Sequence, residues 1–475
     1  MLMNQGWIYG GLVALFALQA SCSGTDDTGT TDPAQCPEGN MVGDVCAGVP
    51  MGDLCPADVC VLETHQCNEV VNVTAADYEV KIAAAPSGSC IALMPGVYGA
   101  IDLPAGVSLF GRGAAHVEVR SVSVTGGSNA MIRGLRIEAG MLYLDTQNIT
   151  VDAVDIRNSP GDGVELAPGA TASITRSSIS GAVRYGIVGF DAGSLNLQDT
   201  LVSSDQGPGM WAQCSGGCGC VGTVNVTLTN VAFIGNSLVG VSLVGVDALM
   251  SNVEIRDTTV GANFEAGGGL SISGCSQVDA TDVRISNNVD FGLLIDDSAL
   301  DAERLEVSGN LRGVWIQHIG LTSSQTVILR EASISDNQGV GIGIDGQSVG
   351  VTVENSDVSE TRSIALPVLV GGVSASVEEV GDGIAWLDGS QVMLSSVTVS
   401  SSARASILID GPVGPNSSIA NVTLSGGDEA LGILQQNLPP GGEEPSVAGN
   451  TAPSVTTDPS EHYSIPGDVA VPPGI

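Results

Sequence analysis

Asn288-Val-Asp-Phe-Gly292-Leu-Leu-Ile-Asp-Asp297 is the stretch whose reading decides the fold. It is one copy of a phrase: Asn, a short gap, Gly, then apolar–any–apolar. The phrase stands again at Asn236–Gly240-Val-Ser-Leu, Asn310–Gly313-Val-Trp-Ile and Asn337–Gly341-Ile-Gly-Ile. Related units begin at Gly163, Gly186, Gly209, Gly269, Ser363, Gly383, Ser406 and Gly432. A spacing of about 20 to 31 residues is that of solenoid repeats. Units so small cannot bury an apolar face alone, so neighbours must stack.

Outward from Asn288 the chain spells a whole coil. Asp282-Val-Arg-Ile285 alternates polar and apolar, Asn287-Asn288 turns, and Gly292-Leu-Leu-Ile295 alternates again. Asp296-Asp297 turns once more, and Leu305-Glu-Val307 leads to the next corner at Asn310. Three short strands per coil, stacked in parallel, let each coil satisfy the backbone of the next. The expected fold class is all-β, a right-handed parallel β-helix. It is a single-stranded solenoid of about 13 coils, ~60 Å long at the inter-strand spacing. The corner Asn residues are expected to stack as a ladder bonding neighbouring coils, a structural role. The apolar stretches 231–250 and 363–377 read as buried coils rather than membrane spans.

Composition agrees and bounds the partners. Of 475 residues 64 are Gly and only 3% aromatic, a mix for short strands and tight turns. Net charge is −37, from 52 acidic against 15 basic residues. No basic footprint exists for nucleic acid, which is excluded as a partner. The acidity suits solubility, or cations held by carboxylates.

The expected domains are a signal peptide (1–21), a flexible tether (22–35), a Cys-rich module (36–69), the β-helix (70–436) and a Pro/Gly-rich tail (437–475). Residues 74–85, with Thr74 as N-cap, are expected to form a short helix covering the raw first edge of the solenoid. Beyond Cys22, ten cysteines remain. Cys36, Cys46, Cys55, Cys60, Cys67 and Cys90 form one group; Cys214, Cys218, Cys220 and Cys275 form another. Both groups are even in number, as disulfides in an oxidising compartment require, though sequence leaves the pairing open. Zinc at the second group is the alternative, but its spacing is not a finger pattern and no His lies near.

Two resemblances sharpen this. Pro95-Gly-Val-Tyr98 and Gly106-Val-Ser-Leu-Phe-Gly-Arg-Gly113 resemble the opening coil of the pectin-lyase-like superfamily of right-handed parallel β-helix proteins. The likeness runs over roughly 70–436 and implies the fold. It also implies a polysaccharide lyase, hydrolase or epimerase as one function, although no catalytic residue of the family carries over. The apolar run 7–18, small residues Ala20 and Ser21, and Cys22 resemble a bacterial lipoprotein signal. That implies lipidation of Cys22, a lipid bilayer as partner and a place in the cell envelope, anchored at the outer membrane. An ordinary secretory signal is the alternative.

Candidate sites follow from phase. Counting each repeat Gly as zero, phases one and three point inward and phase two outward. Phase two carries Trp211 and Trp315, expected exposed and able to stack on sugar rings, while Trp386 at phase three is expected in the core. Phases four and five carry Asp296, Asp297, Gln317, His318 and Asp345, with Asp388 and Asp410 further on. Asp296, Asp297 and Asp345 are candidate ligands for Ca²⁺, the one cofactor considered. Asp296, Asp297, His318 and Asp345 are also the candidate acid–base residues for a glycosidic bond. The plainer reading is that Asp caps its own backbone at strand-end turns. The function expected is a non-catalytic surface or binding scaffold for glycans. A polysaccharide-modifying enzyme and a structural spacer or adhesin are the alternatives.

Overall fold

The structure is a computed structural model. It describes residues 67–216, 224–261, 267–317, 326–346, 350–370, 373–387, 389–425, 432–451 and 455–457, with the side chains of 365–379 outside that description. The signal, the tether, Cys22 and the Cys-rich module up to residue 66 lie outside it, as do Cys218, Cys220, His318 and Asp388.

Alternation makes the core. In Thr171–Thr175 the side chains of Ala172 and Ile174 are buried and those of Thr171, Ser173 and Thr175 are not. The next coil repeats this at Leu195 and Leu197, in direct register with Ala172 and Ile174. Stacked inward residues of three such faces form one continuous Val/Ile/Leu column from Val73 to Ile433. The strands pair in parallel from coil to coil throughout, with one exception. Fifteen successive pairings among the described residues give the first face sixteen rungs. The second and third faces follow it coil by coil. The fold is therefore the right-handed parallel β-helix that the repeat spells, with added rungs at both ends where the Asn–Gly phrase is missing.

Two corners explain how one chain turns so often without helices. Between first and second faces, Asp199, Asn230, Asn252, Asp282 and Arg304 all take a left-handed conformation, φ 49° to 56°. Asn and Asp tolerate that region best, and their side chains join into an outer stack: Asn252 Nδ2 donates to Asn230 Oδ1 (2.8 Å) and Asn230 Nδ2 to Asp199 Oδ1 (2.9 Å). Between second and third faces lies the inner ladder expected from sequence. Asn288 donates from its backbone N–H and from Nδ2 to Asn310 Oδ1 (2.9 and 3.0 Å). Asn310 does the same to Asn337 Oδ1 (3.1 and 3.0 Å), and Asn337 Nδ2 closes on the Val307 carbonyl (3.0 Å). Thr258 N–H donates to Asn288 Oδ1 (3.1 Å). Asp205 holds one position of this ladder: its Oδ1 accepts the Ala182 N–H (2.7 Å), and its own N–H donates to Asn236 Oδ1 (3.3 Å).

The structure departs from the sequence reading in three places. The first helix covers only Tyr78–Ala83, and Asp77 rather than Thr74 stands at its N-cap. Asp77 Oδ1 instead accepts from the N–H and hydroxyl of Thr74 (2.8 and 2.9 Å), so a tight turn replaces the first helical turn. Ile82 still seals the end of the core. Second, the Ser363 unit is not a coil. Ile364–Val370 pairs antiparallel with Val373–Val380, the one exception to parallel pairing, and the stack resumes at Gly381 in register with Gly339. Third, rungs continue past residue 436: Ser446–Ala448 and Val455–Thr457 pair in parallel with the coil before. Cys67 and Cys90 form a disulfide that ties the chain before the first rung to the second. Cys214 and Cys275 are each in a disulfide too.

Candidate functional site

The outward side of the third face carries the chemistry. Its phase-two row runs Tyr143, Glu165, Val188, Trp211, Ser242, Ser271, Leu294, Trp315, Gly343, Ala385 and Leu408 in direct register. Ala365 drops out because its segment belongs to the antiparallel hairpin.

Trp211 and Trp315 do point away from the main core, but neither is exposed: they are 2% and 0% accessible. The expectation of two sugar-stacking faces is corrected. Phase decides which side of the sheet a residue takes, and this side has an apolar layer of its own. Trp315 packs with Phe291, Leu294, Val340, Val380, Ala385 and Leu387, and Trp211 with Tyr185, Val188 and Val239. Glycine makes room for the indole. A Cβ on Gly343 would stand 2.1 Å from Trp315 Cε3, so ring and glycine occupy one van der Waals space on adjoining rungs. Gly343→Ala is expected to cost about 1–3 kcal/mol through overpacking, read as a lowered urea midpoint with Trp315 fluorescence shifted towards that of solvent-exposed indole. Trp386 lies in the main core as its phase requires, its Nε1 donating to the Ser390 carbonyl (2.9 Å).

The acidic row keeps its register. Asp296, Gln317 and Asp345 lie on three successive rungs. The Gln317 rung therefore holds the carboxylates of Asp296 and Asp345 two inter-strand steps apart, ~10 Å along the axis. Asp297 sits in a left-handed turn (φ 44°), its carbonyl accepting the Cys275 N–H (2.7 Å). Asp410 accepts from Gln436 Nε2 (3.1 Å) and Asn437 Nδ2 (2.6 Å). Among the described residues no three His, Cys, Asp or Glu side chains come together as a cation would need.

Two clusters that the repeat phrase did not signal lie on the same face, within two residues of the repeat position. The first is Asp162, Glu165, Arg184 and Tyr185, beside Tyr143. Arg184 Nη1 stands 3.6 Å from Asp162 Oδ2 and its guanidinium lies 5.7 Å from the centre of the Tyr185 ring. Tyr185 meets Trp211 edge-on, centroids 6.1 Å apart. Burial pushes the Asp162 carboxyl up, against the pull of Arg184. Glu165 is pushed up by burial and then by the charge of Asp162, and Tyr185 by burial. Tyr143 is raised by burial, then by Asp145 and Glu165.

The second group is two ion pairs on the same face, one of them beside Trp315. Arg312 Nη1 meets Asp290 Oδ1 at 3.2 Å and lies 5.7 Å from the Trp315 ring. Asp382, 0% exposed, takes both ends of the Arg404 guanidinium and the Ala405 N–H (3.2 Å). Burial raises the Asp290 and Asp382 carboxyls and lowers Arg312, while their partners oppose each shift.

A family model agrees on architecture over part of the chain. The family model described as a right handed beta helix region matches residues 216–379. Among solved structures, the A-module of mannuronan C-5 epimerase AlgE4 from Azotobacter vinelandii is similar at 13% identity. That match covers 83% of this chain and 94% of the other, with TM-score 0.35. The N-terminal fragment of gene product 12 of bacteriophage Phi29 is similar at 12% identity, covering 81% and 89%, TM-score 0.37. The catalytic domain of a GH87 alpha-1,3-glucanase is similar at 11% identity, covering 83% and 68%, TM-score 0.29. No curated protein sequence matches the chain. Likeness at this level brings no activity with it.

Proposed function

We propose, from the premise that this chain is a right-handed parallel β-helix, that it is a binding scaffold for glycans in a bacterial cell envelope. Cys22 carries the lipid that ties it to the bilayer, and residues 23–35 are the tether. The observation that carries the glycan reading is the Asp162–Glu165–Arg184–Tyr185 cluster on the third face. Carboxyls that can bind hydroxyls, one guanidinium and the part-exposed ring of Tyr143 are set there on adjoining rungs, a combination that suits a polar ligand.

A second reading has its own support. Asp162 and Glu165 lie on one rung and burial raises both carboxyls, the direction a general acid needs. The reading as a polysaccharide lyase, hydrolase or epimerase can draw on this pair besides Asp296, Asp297, His318 and Asp345, the candidates read from sequence.

One experiment separates the two. The chain lacking residues 1–22 is applied to a glycan array, and the glycans it retains are then assayed for new reducing ends and for unsaturated products. Retention without turnover is expected. Turnover lost in Glu165→Gln would make the protein an enzyme and overturn the scaffold reading. Radiolabelled palmitate failing to label the wild-type protein in a bacterial host would remove the lipid anchor.

A further inference from the structure

The register of Val164 with Ile187 sets Asp162 and Tyr185 on adjoining rungs, each two residues before its paired strand residue. Both are closed off, at 4% and 1% exposure. Asp162 Oδ1 has no hydrogen-bond partner, and neither has the Tyr185 hydroxyl. Asp162 Oδ2 is the oxygen that faces Arg184. A buried acceptor and a buried donor thus stand on adjoining rungs, each unpaired. Leaving such atoms unmade costs roughly 1–3 kcal/mol each, and native structures hold few of them without a reason.

We propose that Asp162 and Tyr185 form a subsite for one hydroxyl of an uncharged sugar or polyol, covered in the free protein by the Arg184 side chain. This rests on the glycan reading and narrows it. A hydroxyl is the group that satisfies both atoms at once, donating to Asp162 Oδ1 and accepting from the Tyr185 hydroxyl. An ammonium group would meet Asp162 but leave the tyrosine donor unmatched. A carboxylate would meet the tyrosine but stand against Asp162 and Glu165, two acids to one arginine. Val188, Trp211 and Val239 pack beside Tyr185 and hold its ring in place. Arg184 suits a cover because it spans both groups while its side chain is 60% exposed. Rotation about its own bonds uncovers the pair without moving a rung.

The test titrates the full chain with glucose, N-acetylglucosamine and cellobiose, and with glucuronate as the anionic control, by saturation-transfer NMR and calorimetry. Millimolar binding of at least one neutral sugar is expected, with glucuronate at least tenfold weaker. Tyr185→Phe keeps the ring and removes only the unpartnered hydroxyl, so it should weaken binding at least tenfold without lowering the melting temperature. Asp162→Ala should also weaken binding at least tenfold. Equal binding by wild type and Tyr185→Phe overturns the subsite and leaves the glycan reading standing. Silence towards every sugar, with array retention intact, also overturns the subsite alone and would mean that the two atoms merely enclose a water. Silence in both assays removes the reading beneath it too.

Discussion

Asp205→Asn is expected to make the protein more stable at pH 8 by an amount approaching 4 kcal/mol, and to change little at pH 4. Asp205 occupies a ladder position in which the second side-chain atom needs to be a donor. Asn337 and Asn236 use theirs on the carbonyls of Val307 (3.0 Å) and Val202 (3.4 Å). The equivalent atom of Asp205, Oδ2, is buried with no partner and faces Gly186, where a Cβ would stand 2.3 Å away. Burial pushes this carboxyl up from 3.8 to about 7, with only the Ala182 N–H pulling it down. No charged side chain among the described residues contributes to the shift.

The sign follows from proton linkage. Because the folded pKa lies above the unfolded one, the folded state holds the proton more tightly. Stability is then full below about pH 4, falls as pH rises towards 7, and levels off above it. An amide supplies the donor at every pH and removes that slope. Urea midpoints of wild type and variant at pH 4 and pH 8 check it. Parallel pH profiles would show that Asp205 is as readily ionised in the fold as out of it.

Arg404→Met is expected to cost about 3–5 kcal/mol, because it leaves Asp382 enclosed with no counter-charge. Asp382 keeps then only the Ala405 N–H (3.2 Å), and the next rung back presents Val340, which offers its carboxyl nothing. The double variant Asp382→Leu with Arg404→Met should recover most of the loss, since an apolar pair of similar volume avoids desolvating two charges. The measurement is a double-mutant cycle on urea midpoints. A single variant as stable as wild type would show that solvent reaches Asp382 on unfolding only of the local rung. Both effects arise from groups that the lattice encloses, one lacking a proton donor and the other holding its counter-ion.

Much of the fold was legible because the corner and the strand repeat together. Asn310 announces a turn, and Gly313-Val-Trp-Ile316 announces a strand with one side inward, so stacking follows from either. Trp386 shows the strength of this: phase alone put it in the core. Trp211 and Trp315 show its limit, since alternation assigns a residue to a side of the sheet and is silent on what packs against that side. A usable signal was present at Gly343 and Gly268, small residues in outward rows of apolar strands. They make room for the rings of Trp315 and Phe291. The hairpin after Ser363 was also written in the chain. Gly371-Gly372 between Val370 and Val373 is a two-residue loop composition, and Pro367 does not suit a central rung. Asp162 and Tyr185 carried no motif at all. They become neighbours only through the register of coils 23 residues apart.

The hairpin has a consequence beyond its own residues. Gly339 pairs with Gly381 although the whole excursion from Ile364 lies between their coils, and the pairing on either side keeps its register. The corner between second and third faces thus behaves as a port, where extra sequence can leave the column and return to the next vacant place. Closing a longer detour there costs only a logarithm of its length, about 0.6 kcal/mol for each doubling. Lineages of such proteins would be free to acquire passengers at that corner while the column passes unchanged from ancestor to descendant, and a designer could graft an epitope or a reporter at the same address.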